Sequence, residues 1–206
     1  MVRDKERLQS FKDYEFHQDL DYEIIEGSDG ARLGGFYIDP IGPRQLRGSS
    51  GRMYRGEAGC KISHLVAWAK LLSTTHEYGL ILEDDSRLKC ADGIKDLAAL
   101  EGLLPQDCFI TVDRNCALKN QIDNSLPFSP QPYNNCVTAA YIVSRSCASI
   151  LLEMTIRNYS FTDKPVDTII GEVLRASRID QLCLDKALFD GNLLKTSSIA
   201  VIPPNC

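Results

Sequence analysis

Gly79-Leu80-Ile81-Leu82-Glu83-Asp84-Asp85 is a short apolar run that stops abruptly in three adjacent carboxylates. A continuous apolar segment of this length suits a central strand covered on both faces. Three carboxylates crowded at its end repel one another. A hard divalent cation relieves that repulsion, since Mg²⁺ or Mn²⁺ prefers oxygen ligands and commonly shares them with a phosphate. Ligands of open α/β sheets also gather at the carboxyl ends of strands. Taken alone, the tripeptide reads equally as a solvated acidic turn.

Working outward, a helix precedes this strand from about Glu57 to Thr74, with Ala58, Ile62, Leu65, Val66, Ala69 and Leu72 as a broad apolar stripe. Glu57, His64 and Trp68 align along a different line of the same helix. Upstream, residues 3–13 read as a helix and Tyr22 to Ile25 as a short strand ending at Gly27-Ser28-Asp29-Gly30. Residues 31–55 are rich in Gly and Pro and carry five arginines (Arg32, Arg44, Arg47, Arg52 and Arg55) against a single acid, Asp39. Such a loop could receive a diphosphate or an anionic acceptor, or serve as a solvated arm. Downstream come a helix around 92–101, a strand from Cys108 to Val112 ending at Asp113, and a loop over 119–136. A strand from Val137 to Val143 follows, then a helix capped by Ser144 and a helix opened by Pro165-Val166-Asp167. Leu182-Cys183-Leu184, a turn at Asp190-Gly191-Asn192 and a strand Ile199–Ile202 complete the pattern. Strands interleaved with helices predict an α/β fold with a mostly parallel central sheet flanked by helices. No repeat or linker divides it, so residues 1–206 read as one domain.

A net charge of −5 argues against nucleic-acid binding. No apolar stretch reaches the roughly 18 residues of a membrane span, and Met1-Val2-Arg3-Asp4-Lys5-Glu6-Arg7 has no apolar signal core. A cytoplasmic protein, acting beside a membrane if anywhere near one, is the expectation. None of the eight cysteines forms a Cys-x-x-Cys pair, so zinc is poorly supported. Reduced core thiols are expected.

Several of these motifs together resemble glycosyltransferase family 25, which includes lipooligosaccharide and collagen galactosyltransferases. They are Gly56-Glu57-Ala58-Gly59-Cys60-Lys61-Ile62-Ser63-His64-Leu65, Trp68, Leu80-Ile81-Leu82-Glu83-Asp84-Asp85, Ala140-Tyr141-Ile142-Val143-Ser144-Arg145 with Ala148, Pro165-Val166-Asp167, and Ile199-Ala200-Val201-Ile202-Pro203-Pro204. At the front, Arg3 to Arg7 is similar to the family's first helix, and Asp29-Gly30 to its step after the second strand.

The resemblance implies a GT-A-like nucleotide-diphospho-sugar transferase fold and a metal-dependent, inverting transfer of galactose or glucose. The donor would be a UDP-sugar bound with Mn²⁺ or Mg²⁺, and the acceptor a lipooligosaccharide or glycoprotein-like glycan. It makes Asp85 the leading metal ligand, with Asp84 a second ligand and Glu83 and Asp84 further donor-binding groups. Asp29 and Arg7 are donor-binding candidates, and Asp167, Glu57 and His64 are candidate bases for the acceptor hydroxyl. Each base has a structural alternative: Asp167 and Glu57 as helix caps, His64 as a satisfied core residue. Trp68 and Tyr141 read as packing.

Family members normally begin with an apolar strand ending in Ile-Asn-Leu, where Met1-Val2 stands here. Its loss is expected to weaken donor binding and leave a new sheet edge. This keeps a non-catalytic glycan-binding or interaction module as the alternative. A third reading, a metal-dependent hydrolase or phosphotransferase using the same carboxylates, finds no glycine-rich phosphate loop, Gly-x-Ser-x-Gly elbow or second convincing acidic cluster in this sequence.

Overall fold

The structure is a computed structural model that describes residues 9, 11–13, 22–28, 45–47, 52–84, 86–89, 92–113, 127–133, 138–158, 164–185, 187–191 and 199–202. In chain order these form β1 (Glu23–Ile25), β2 (Gln45–Arg47), β3 (Arg52–Tyr54), α1 (Arg55–Leu72), β4 (Tyr78–Glu83), β5 (Ser86–Leu88) and α2 (Asp92–Leu100). There follow β6 (Phe109–Thr111), β7 (Phe128–Pro130), β8 (Ala140–Ser144), α3 (Arg145–Arg157), α4 (Val166–Ser177), β9 (Gln181–Leu184), β10 (Phe189–Gly191) and β11 (Ile199–Ile202).

Seven of the described strands make one sheet in the order β1-β11-β4-β8-β6-β9-β7. The expected mostly parallel sheet is not what forms. Only β6 and β9 pair in parallel, while β1·β11, β11·β4, β4·β8, β6·β8 and β7·β9 are antiparallel. The reason lies in what fills the gaps. β1, β4, β6 and β9 do run the same way, but β11 and β8 insert between them in the opposite sense. An apolar run is equally suited to either direction, so hydrophobic pattern alone does not report strand polarity. β7 was hidden in a Pro-rich loop; it lies last in the sheet order, where Pro130 is tolerated. Two short ribbons, β2·β3 and β5·β10, stand apart from the main sheet.

Alternation along β4 feeds two cores. Ile81 joins Trp68, Leu71, Phe109, Tyr141, Cys147, Leu151, Ile169 and Leu174 beneath the α1, α3 and α4 layer. Leu80 and Leu82 join Phe11, Leu88, Leu100, Ile110, Ile142 and Phe189 on the opposite face. The expected Ser144 cap is present, its side chain accepting from Cys147 N–H. Arg145, beside it, donates to the Leu71, Leu72 and Thr74 carbonyls at 3.1, 2.7 and 2.5 Å. That guanidinium ties the start of α3 to the orphan carbonyls at the end of α1. Of the described cysteines, Cys108, Cys147 and Cys183 are buried and Cys60 is half-buried. Burial pushes the Cys108 thiol up to about 12.

Candidate functional site

Because β1, β4, β6 and β9 share a direction, their carboxyl ends share one edge of the sheet. That edge collects Glu83 at the end of β4, Asp84 after it and Asp113 beyond β6, all three buried. The ends of β4 and β6 stand two strand spacings apart, roughly 10 Å, with the start of β8 between them. Glu83 N–H donates to Ala139 O at 2.8 Å and Val112 N–H to Ala140 O at 3.0 Å, so this register is closed by backbone bonds. Each of α1 and α4 runs back toward the start of the strand that follows it, which brings their N-termini to the same edge.

The centre of the edge is a hydrogen-bonded chain under α1. Cys60, His64 and Trp68 lie four residues apart and form one line of the helix. Trp68 Nε1 donates to Tyr141 Oη at 3.0 Å, and Tyr141 Oη lies 2.8 Å from His64 Nδ1. His64 Nε2 lies 3.2 Å from Glu83 Oε1. Only one proton arrangement satisfies every polar hydrogen in this set. The indole can only donate, so the Tyr141 hydroxyl accepts from it and turns its own hydrogen to Nδ1, leaving Nε2–H to donate to the carboxylate. Glu83 Oε1 also accepts from Thr138 Oγ1 at 2.8 Å and faces Cys60 Sγ at 3.8 Å. Trp68, Tyr141 and His64 are completely enclosed. Tyr141 stacks on Phe109 with ring centroids 4.6 Å apart.

The turn that carries the acids is itself clasped. Arg87 Nη1 donates to the Asp84 and Ser86 carbonyls at 2.9 and 2.8 Å, and its guanidinium stands over the Phe11 ring. Ser86 Oγ donates to Ala139 O. At the end of β1, Ser28 N–H donates to Ser63 Oγ at 2.9 Å, which joins that strand end to α1.

Glu83 and His64 are thus brought into contact, with Asp84 adjacent. Glu57 is half-buried in the first turn of α1. Asp167 is exposed in the first turn of α4, where its Oδ1 accepts from Thr168 N–H at 2.7 Å. Arg7, Asp29 and Asp85 lie outside the described residues. Sequence reasoning passed over Asp113, Thr138 and the role of Cys60. The four-residue step from Cys60 to His64 was the available signal, since it places both on one helical face.

In open α/β sheets the carboxyl ends of co-directional strands are where ligands gather, and buried acids at that edge give it the chemistry to meet a cationic or hydrogen-bonding one. The chain belongs to the family described as Glycosyltransferase family 25 (LPS biosynthesis protein), whose match covers residues 1–170. It is 30% identical over 79 residues to human procollagen galactosyltransferase 2, which is 36% of this chain and 13% of that protein. It is 33% identical over 75 residues to an Aedes aegypti glycosyltransferase 25 family member, covering 34% of this chain and 12% of the relative. The chain therefore matches only 12–13% of the length of these curated relatives. Among the described residues no helix is long and apolar enough to cross a membrane.

Proposed function

We propose that this chain is an inverting hexosyltransferase. It moves galactose or glucose from a nucleotide-diphosphate sugar, UDP-hexose, to a glycan acceptor of lipooligosaccharide or glycoprotein type, on a GT-A-like scaffold working in the cytoplasm. Membership of glycosyltransferase family 25 supports the transferase chemistry. The observation that carries the site is the buried strand β4 delivering Glu83 and Asp84 to the shared strand edge.

Carboxylate oxygens suit Mg²⁺ or Mn²⁺, so the donor set fits the cation the family implies. Asp84 and Asp85 would hold it, and when bound it would neutralise charge on the departing nucleoside diphosphate. Glu83 is turned toward α1 instead. Its Oε1 is engaged by His64 and Thr138, so it fixes the strand end from beneath. His64, enclosed and hydrogen-bonded through both ring nitrogens, serves in this reading to position Glu83 rather than to meet an acceptor. Asp167, exposed near the same edge, is then the preferred base for the acceptor hydroxyl, ahead of Glu57. Arg7 and Asp29 remain the proposed donor-binding groups.

Titration calorimetry with UDP-hexose, with and without Mn²⁺, tests the proposal. Expected is donor binding that requires the cation and falls at least about 100-fold in Asp84→Asn and Asp85→Asn. Metal-independent binding of equal strength in all three proteins would overturn it.

A further inference from the structure

We propose that Cys60, His64 and Glu83 form a second metal site, for a borderline-soft dication such as Zn²⁺, separate from the oxygen-only site proposed at Asp84 and Asp85. The three ligand atoms, Cys60 Sγ, one ring nitrogen of His64 and one Glu83 carboxylate oxygen, all lie within 4.8 Å of one another.

Two of the three edges match a coordination tetrahedron, and the third, from Cys60 Sγ to the His64 nitrogen, is no longer than 4.8 Å. Metal–ligand lengths of about 2.0–2.1 Å to nitrogen and oxygen and 2.3 Å to sulfur give N···O edges of roughly 3.3–3.4 Å and S···O edges of roughly 3.5–3.6 Å. The observed edges are 3.2 Å from His64 Nε2 to Glu83 Oε1 and 3.8 Å from Cys60 Sγ to the same oxygen. Along these two edges the heavy atoms need move only by tenths of an ångström, and a turn of the Cys60 side chain toward the imidazole closes the sulfur–nitrogen edge.

The chemistry of the set selects the ion. A thiolate, an imidazole and one carboxylate favour zinc over Mg²⁺ or Mn²⁺, which prefer all-oxygen shells. Thiolate and carboxylate together cancel the dication's charge, so a neutral centre is buried rather than an ion. Three protein ligands leave a fourth position for water. His64 and Glu83 are buried while Cys60 is half-buried, so the thiol side is the way in.

The protons balance. The Cys60 S–H bond breaks, its proton leaves to solvent and a sulfur–metal bond forms. His64 loses the Nε2 proton and takes one at Nδ1, so the ring remains neutral and one proton is released in all. Nδ1–H then donates to Tyr141 Oη, 2.8 Å away, and the Tyr141 hydrogen gives up Nδ1 as its acceptor, a cost the metal bonds must offset. Metal-bound histidines ordinarily have such a partner at the other nitrogen.

The test uses Co²⁺ as the spectroscopic probe, on the chelator-treated full chain. Expected is one bound ion with a tetrahedral spectrum and a thiolate-to-cobalt charge-transfer band, displaced by Zn²⁺, with about one proton released per ion. Cys60→Ser should lose the band and at least about 100-fold in affinity, while Asp85→Asn keeps both. Zn²⁺ should also shield Cys60 of the unmutated chain from alkylation, read at its own peptide; this arm needs no variant to fold. An octahedral spectrum with no thiolate band, a band that survives Cys60→Ser, or Cys60 alkylated equally with and without Zn²⁺ would overturn the proposal. Because no arm involves the sugar donor, failure here is distinct from failure of the transferase reading.

Discussion

Tyr141→Phe isolates the polar chain beneath α1. The substitution keeps the ring and its stacking on Phe109 and removes only the hydroxyl, which lies 3.0 Å from Trp68 Nε1 and 2.8 Å from His64 Nδ1. Both partners are fully enclosed, so no solvent replaces the lost group. Each stranded buried group costs about 1–3 kcal/mol, which puts the expected loss for the two at about 2–6 kcal/mol. Urea unfolding with an unchanged m-value measures it. A cycle with Trp68→Phe makes the origin specific. The cavity left by the indole costs the same in both backgrounds and cancels, whereas the stranded N–H exists only in Tyr141→Phe. Trp68→Phe should therefore cost about 1–3 kcal/mol less in that background than in the parent. A Tyr141→Phe protein within about 0.5 kcal/mol of the parent, or strictly additive single mutants, would refute the connected chain and its assigned proton arrangement.

Gly171→Ala should destabilise by about 3 kcal/mol or more, reversing the usual gain of a helical Gly→Ala change, because a Cβ there would stand 1.9 Å from the Tyr133 carbonyl oxygen. Gly102→Ala, with nothing within 4 Å of the added carbon, is the thermal-denaturation control. Arg178→Gly should stabilise by about 0.5–1 kcal/mol, since Arg178 closes α4 at φ 56°, a conformation that strains any residue with a side chain; a loss of stability would count against that strain. Stability should also fall with rising pH from about 9 toward 12: the native Cys108 thiol holds its proton to about 12 while the unfolded one releases it near 9.0, so the native state binds more protons across that window. Cys108→Ala should flatten that slope in pH-dependent urea midpoints, and an unchanged slope would reject the assignment.

The strands at 79–82, 108–112 and 199–202 were legible because each is an apolar run bounded by turn residues, and the Ser144 cap because its residue type precedes a helical period. Polarity was not legible. β8 and β11 each read as an apolar strand, and only long-range pairing to β4 sets their direction. The short β5 and β10 strands escaped because each has only three residues and is defined by pairing with the other. At the site, the acids of β4 were visible as a run of like charge. The work of His64 was not, because its partners Tyr141 and Glu83 are 77 and 19 residues away. Periodicity reports which face a residue takes and says nothing of what it meets there.

The division of labour proposed for the acidic trio follows from the alternation of β4. Gly79, Ile81 and Glu83 fall on one face and Leu80 and Leu82 on the other. Gly79 shows that the first face belongs to α1: a Cβ there would stand 3.2 Å from Leu71 Cδ2, near the C-terminal end of that helix. The small residue lets α1 lie close over the strand, and closeness at Leu71 sets the height at which Trp68 and His64 arrive two strand residues at a time further along. By Glu83 the helix and strand are near enough for a direct His64–Glu83 contact. A glutamate on that face meets the helix above it, where His64 and Cys60 stand. Asp84, which follows the strand, lies outside that alternation and is the described carboxylate that the proposed cation would meet at the edge.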